Sequence, residues 1–336
     1  MKKKSVFNIL KIIFSLTFIL FILYYFFGKN SDSLQEHLKD RVKIEFVLLS
    51  MIFGGIAYVS RGLRWVALVD AIGYNTSKKN AIAAVSIGYF TNLFLPRAGE
   101  ISRCTSLYKT DNIPVEKLFG TILIERVIDF IFLVLFALIA FLLKSNEIFK
   151  AYSSYKEINT SSSNFLEILI FTIVVTSFFI FLFRKKIKSS KFYHRVKAFL
   201  IGIKEGFYSI KKIKHKSIFW IHTISIWVMY FLMTWICFFT IPETINLNIS
   251  DGIFLLVIGG IGMVIPSPGG IGSYHLLVMI GLFALQIDSA KISLEPYNQY
   301  NPAMLFPFIV HTAQTFVAII MGIGGLFVIL RNRISK

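Results

Sequence analysis

Six charged residues fall at helical spacing in two stretches of a mostly apolar chain. Arg97, Glu100 and Arg103 follow Pro96 at steps of three. Glu125, Arg126 and Asp129 lie in the first half of an apolar run over residues 118–143. On a helix, with Glu125 as reference, Asp129 is turned by about 40° and Arg126 by about 100°, so the three share one face. Arg126 and Asp129 are spaced to pair at i,i+3. If a span began beyond Asp129, too little of the run would remain to cross a bilayer. The three charges therefore sit at or within the membrane boundary, where each costs about 2.5–3.5 kcal/mol at the centre. Such groups face a polar cavity or one another. Guanidinium groups take phosphate in bidentate fashion, which makes Arg97 and Arg103 candidate phosphate contacts. Glu125 and Asp129 would balance that charge or receive a cation. Arg97, Glu100, Glu125, Arg126 and Asp129 together carry two positive and three negative charges. They form a nearly self-neutralising set that a ligand would complete.

A second group of polar positions interrupts the C-terminal half. Pro266-Ser267-Pro268-Gly269-Gly270-Ile271-Gly272 breaks an apolar stretch, and His275 follows three residues after Gly272. His311 and Gln314 sit at i,i+3 on the last apolar run, and His222 on an earlier one. Pro and Gly either kink packed helices or free backbone groups that line a cavity. A histidine at such depth is either a hydrogen-bonding packing residue or a proton relay.

Composition decides what positions these residues. Of 336 residues, 55% are hydrophobic, 16% are charged and 35 are Phe. Soluble domains carry about 25% charged residues, so one polytopic membrane domain over 1–336 is expected. The net charge is +18, from 36 basic and 18 acidic residues. The basic residues lie between apolar runs, where orientation and anionic lipid explain them better than nucleic acid does. Cys104 and Cys237 are isolated and support neither a disulfide framework nor a metal site.

The apolar pattern predicts an all-α architecture of about six full spans, at 6–27, 44–60, 118–143, 165–183, 217–240 and 303–330. Two broken elements, around 81–95 and 252–287, are predicted to enter from opposite faces as re-entrant hairpins. The first is about 15 residues long, roughly 22 Å as a helix, which falls short of the ~30 Å hydrocarbon core. Arg61 and Arg64 read most simply as anchors that end the second span at an interface. Residues 144–164 read as a Ser-rich loop. Twelve Lys/Arg and one acid, Glu205, fill residues 184–216. Within them an apolar stripe at helical spacing predicts an amphipathic helix lying on the cytoplasmic leaflet. The Lys2–Lys4 cluster and the Arg331–Lys336 tail place both termini in the cytoplasm. The first run is too long for a signal peptide and lacks a cleavage site.

Taken together, Arg64-Trp65, the stretch Asn92-Leu93-Phe94-Leu95-Pro96-Arg97-Ala98-Gly99-Glu100-Ile101-Ser102-Arg103, Glu125-Arg126-Val127-Ile128-Asp129 and the Pro266–Gly272 motif resemble the transmembrane region of the lysylphosphatidylglycerol synthase/flippase family. The order of the motifs is specific, and the resemblance covers nearly the whole chain. Full-length members of that family join a lipid-translocating membrane domain to a soluble aminoacyl-transferase. The resemblance here is to a stand-alone membrane domain, so the synthase activity is not carried over. In the family pattern a Glu often follows the Pro-Gly-Gly-x-Gly motif, where His275 stands here. The resemblance also implies a bacterial inner membrane.

The leading expectation is a flippase-like protein that binds or moves a phospholipid headgroup in a polar cleft. The candidate contacts are Arg97, Glu100, Arg103, Glu125, Arg126, Asp129, Pro268, Gly269, Gly270 and His275. No cofactor and no metal are expected. Membrane phospholipids are the expected partners, nucleic acid is not, and a homo-oligomer is possible. The alternatives are an intramembrane lipid-modifying enzyme, with the paired acids as base or cation ligands, and a non-catalytic membrane assembly partner.

Overall fold

The computed structural model describes residues 41–158, 213–214, 216–285 and 302–334. The predicted spans at 6–27 and 165–183, the amphipathic helix within 184–216 and the N-terminal lysine cluster lie outside these residues. So does the polar loop over 288–301. The described part is all helical, with α1 (Ile44–Ala71), α2 (Lys78–Phe94), α3 (Gly99–Asp111), α4 (Val115–Ile158), α5 (Lys216–Ile236), α6 (Ile249–Val264), α7 (Ser273–Ala284) and α8 (Pro302–Ile334). Among the described residues, α1, α4, α5 and α8 are long and apolar enough to cross a membrane, while the Ile249–Val264 and Pro268–Ala284 segments are shorter apolar helices. The chain is thus an all-α polytopic membrane protein.

Two of the long helices leave apolar stripes uncovered. Ile44, Leu48, Ile52 and Ile56 on α1 are exposed at steps of four, as are Phe130, Val134, Leu138 and Leu142 on α4. Steps of four draw one stripe along a helix. Stripes this apolar are solvated by hydrocarbon rather than water.

Two boundaries differ from the sequence expectation. Helix α1 does not end at residue 60 but continues through Arg61 and Arg64 to Ala71. The two arginines are compensated by carboxylates from α4, so they have no need of an interface. Helix α4 runs through the stretch expected to be a Ser-rich loop as far as Ile158, with a kink at Lys144 (φ −126°, ψ 17°). Lys144 is buried at that kink and pairs with Asp251 at 2.6 Å.

The two broken elements are helical hairpins laid end to end along α8. In the first, α2 and α3 meet across Leu95–Ala98 and approach so closely that a Cβ on Gly99 would collide with the Gly88 carbonyl and the Asn92 side chain. Asn92 Oδ1 accepts from the Gly99 N–H at 2.7 Å and closes the turn. The base is tied by Asp111, which accepts from Thr76 at 2.6 Å and from Asn80 at 2.8 Å. Asn80 also accepts from Asn332 of α8 at 2.6 Å.

In the second hairpin, α6 begins with a reciprocal capping box between Asn248 and Asp251. A 3₁₀ turn over Pro268–Gly270 joins α6 to α7, with positive φ at Gly269, Gly270 and Gly272. Only glycine takes these angles without a Cβ penalty. The base packs in an apolar core with Phe238, Phe254, Leu282 and Phe306 near the start of α8. The tips adjoin, since a Cβ on Gly269 would lie 3.1 Å from Leu93 near the end of α2. The hairpin bases therefore lie at opposite ends of α8, near Phe306 and near Asn332.

Candidate functional site: a buried arginine network at the first hairpin

Helix periodicity interleaves two rows of charge. Arg61 and Arg64 share a face of α1 at i,i+3, and Glu125 and Asp129 share a face of α4 at i,i+4. Asp129 accepts from Arg61 Nη1 at 2.9 Å and from Arg64 Nη1 at 2.8 Å. Glu125 accepts from Arg64 Nε at 3.4 Å and from Arg103 Nη1 at 2.6 Å. Arg64 thus bridges both acids, and Arg103 joins α3 to the same row. Arg64 is 0% and Glu125 1% exposed. Removing such charges from water costs several kcal/mol per ion, which only close pairing offsets.

Aromatic residues complete the wall. The Arg103 guanidinium lies 3.7 Å from the centre of the Trp65 ring, a distance at which the ring face attracts a cation. Trp65 is fixed in turn by its indole N–H, which donates to Thr121 Oγ1 at 2.8 Å. Arg61 Nη2 donates to the Tyr230 hydroxyl at 3.1 Å, and Tyr230 meets the Tyr89 hydroxyl at 3.3 Å. At the rim, Arg126 donates to Glu100 at 2.8 Å. This pair is far more open than the core, and the Arg126 side chain is 50% exposed.

The inner network holds three arginines (Arg61, Arg64, Arg103) and two acids (Glu125, Asp129), so it carries one excess positive charge. Its donors are not all used. Arg61 Nε, Arg64 Nη2, Arg103 Nε and Arg103 Nη2 are buried without a hydrogen-bond partner among the described residues, as is the acceptor Glu100 Oε2. A narrow cleft with about 20 Å³ of free space is lined by Arg61, Tyr89, Asn92, Glu100, Arg103 and Arg126, among others. A larger cavity of about 240 Å³ lies on the other side of α3, against Leu326, Ile329 and Leu330 of α8. Its walls are mainly apolar.

The predicted site residues divide into three groups. Glu100, Arg103, Glu125, Arg126 and Asp129 do come together. Contrary to the pairing their i,i+3 spacing predicted, Arg126 and Asp129 are not partners: Arg126 turns to Glu100, and Asp129 is taken by Arg61 and Arg64 of α1. Arg97 stays outside the network, exposed at the hairpin apex with φ +62°. Pro268, Gly269, Gly270 and His275 belong to the second hairpin. There His311 Nε2 meets the Gly269 carbonyl at 2.8 Å, and the Gly272 N–H donates to His275 Nδ1 at 3.3 Å. His275 thus back-caps α7 as a Glu at that position would.

The sequence reading took Arg61 and Arg64 for interface anchors, gave Arg64-Trp65 only as part of the family resemblance, and did not single out Tyr230. One signal was available for the arginines: the residues after them, Trp65 to Leu68, stay apolar, and a row of two basic residues faces a row of two acids.

The model of the lysylphosphatidylglycerol synthase TM region matches residues 8–293. The UPF0104 membrane protein MJ1595 of Methanocaldococcus jannaschii is 33% identical over 100 residues, which cover 28% of this chain and 30% of that protein. The UPF0104 membrane protein PH1989 of Pyrococcus horikoshii is 31% identical over 106 residues, 30% of this chain and 32% of that protein. The matched stretch spans less than a third of either relative. No solved structure matches. With the family model covering well over half of its length, the chain belongs to the family of the lysylphosphatidylglycerol synthase transmembrane region.

Proposed function

We propose that this protein handles phospholipid headgroups in the cleft of the first hairpin and moves them between leaflets, as a flippase-like protein. The observation that carries this reading is the inner arginine network, with its one excess positive charge and unspent donors beside a cleft at membrane depth. Intramembrane charges of this kind mark substrate pathways. Transporters commonly place their sites where broken helices meet. The two hairpins, based at opposite ends of α8 with adjoining tips, fit entry from opposite membrane faces. Six spans with both termini cytoplasmic fit the positive-inside pattern of the sequence. The apolar cavity beside α3 is suited to an acyl chain whose headgroup sits in the cleft.

The enzyme alternative is weaker on geometry. Glu125 and Asp129, the acids it would use as base or cation ligands, are both committed to arginines. Among the described residues no three His, Cys, Asp or Glu side chains gather as a metal site.

Reconstitution tests the proposal. Proteoliposomes with a fluorescent-headgroup phospholipid should lose inner-leaflet protection from a membrane-impermeant quencher faster than empty vesicles. The double variant Glu100→Gln/Arg126→Gln, which replaces the rim pair without disturbing the inner network, should slow that loss at least tenfold. A wild-type rate equal to that of empty vesicles would remove the translocation reading.

A further inference from the structure

Helix α4 bends where its own sequence gives no helix breaker. Sharp kinks arise at Pro, at Gly/Ser pairs, at π-bulges, or where a side chain intrudes on the helix. Residues 140–148 read Ala-Phe-Leu-Leu-Lys-Ser-Asn-Glu-Ile, with no Pro or Gly. Yet Lys144 has non-helical angles (φ −126°, ψ 17°) between two helical arms. The side chains of Ser145 and Asn146 make no hydrogen bond among the described residues, so they do not draw the backbone aside.

The cause lies across the contact with the second hairpin. Lys144 is 7% exposed, and its Nζ lies 2.6 Å from Asp251 Oδ1 on α6. The other oxygen of Asp251 accepts from the Asn248 N–H at 2.8 Å and caps α6. One carboxylate therefore starts the hairpin and holds α4 to it. A second carboxylate stands on α4 itself. Glu147 lies 3.3 Å from Lys144 Nζ at i,i+3, the spacing of neighbours on an unbroken helix. Its side chain is 37% exposed, against 7% for Asp251. The bend also brings the rings of Phe141 and Phe149 to 6.4 Å, although eight residues of straight helix rise about 12 Å.

We propose that Lys144 is a two-position latch that sets the bend of α4. In the bent form, that of this structure, Asp251 holds Lys144 and α4 is tied to the base of the second hairpin. In the straight form Lys144 keeps Glu147 alone, α4 runs unbroken past residue 144, and the hairpin base is released. Glu125 and Asp129 lie before the bend on the same helix. Helix α4 thus has a fixed end at the first hairpin and a releasable end at the second.

Distances between spin labels on the full chain in detergent test this. Labels go on Ser154→Cys in the arm and on Ile249→Cys, an exposed position at the hairpin base. The native Cys104 and Cys237 are buried. Ten residues of arm extend about 15 Å, so undoing a kink of about 20° moves residue 154 by about 5 Å. The double variant Lys144→Met/Asp251→Asn buries no unpaired charge and keeps an oxygen for the Asn248 N–H, so it folds. It should show that change in distance. Glu147→Gln should keep the wild-type distance. Asp251→Asn alone should take the straight distance at nearly the wild-type melting temperature, because Lys144 keeps Glu147. Adding Glu147→Gln to it should lower the melting temperature by several degrees, since a buried ammonium then has no carboxylate.

An unchanged distance in the double variant would overturn the proposal and make the bend a local property of Ser145-Asn146. A straightened Glu147→Gln variant would overturn it as well, because Glu147 would then be what holds the bend. Equal melting temperatures for Asp251→Asn with and without Glu147→Gln would remove the second position of the latch, and the proposal with it. None of these readouts uses lipid movement, so the latch stands or falls separately from the flippase reading.

Discussion

The two hairpins share an outline and differ in what fills them. Each is short, turns at a Pro/Gly motif, and is latched at its base by polar side chains: Asp111 with Thr76 and Asn80 in the first, Lys144 with Asp251 in the second. Beside the first lie three buried arginines, the buried Glu125 and the partly buried Asp129, from α1, α3 and α4. Beside the second lie His275, His311 and Tyr274, with His311 and Gly272 satisfying neighbouring polar groups locally. A histidine can be neutral at membrane depth, whereas an arginine cannot. The first hairpin therefore keeps full charges where they are expensive, and not all of their donors are used. The comparison teaches that a break in a membrane helix is by itself only architecture, and that the two hairpins differ in uncancelled charge, on which the proposed function rests.

The largest expected effect breaks the first hairpin's network. Asp129→Ala leaves Arg61 and Arg64 facing each other without their shared carboxylate. Loss of one partner from a buried pair costs about 3–5 kcal/mol, so thermal unfolding in detergent should show severe destabilisation. A melting temperature near that of wild type would mean that the network is wetter than its burial implies. Next comes the packing of the first turn. Gly99→Ala puts a Cβ against the Gly88 carbonyl and Asn92, and overpacking of this kind costs about 1–3 kcal/mol. In the second turn, Gly272→Ala meets open space but must hold φ +86° and ψ −60°, a sparsely populated conformation that costs about 1–3 kcal/mol. Equal sensitivity to handedness at both turns would blur the contrast.

Smaller effects sharpen it. His275→Ala removes the back-cap of α7 and should cost about 1 kcal/mol. His275→Glu should restore the melting temperature, since a carboxylate accepts from the same Gly272 N–H. Failure of the Glu variant to rescue would show that the imidazole has a role beyond the cap. The least effect is expected at Arg97, which is exposed and outside the network. Arg97→Ala, which keeps a Cβ at the same positive φ, should leave both melting temperature and lipid translocation at wild-type values.

Much of this was legible in the sequence because membrane charge is costly and therefore conspicuous. Glu125 and Asp129 stood out inside an apolar run, and Arg103 followed a helix break at a regular step. The partners were less legible. Arg126 and Asp129 share a helix face, yet side chains on one helix compete with those on its neighbours, and α1 supplied better donors to Asp129. Arg61 and Arg64 looked like the end of a span because isolated basic residues usually are. Only the apposition of α1 with α4 shows that their charge is answered within the protein. The hairpin at Pro266–Gly272 was equally visible, but a Pro-Gly-Gly pattern records backbone geometry and does not distinguish a substrate cavity from a packed turn.

The central claim, that the first hairpin receives the headgroup and the second is scaffold, is tested most directly by photolabelling. A phospholipid carrying a diazirine in its headgroup would be reconstituted with the full chain, activated, and its adducts mapped by peptide mass spectrometry. The account predicts adducts on residues 85–103 and around Arg126, the walls of the cleft. Adducts concentrated on Ser267–His275, with the 85–103 segment unlabelled, would contradict it.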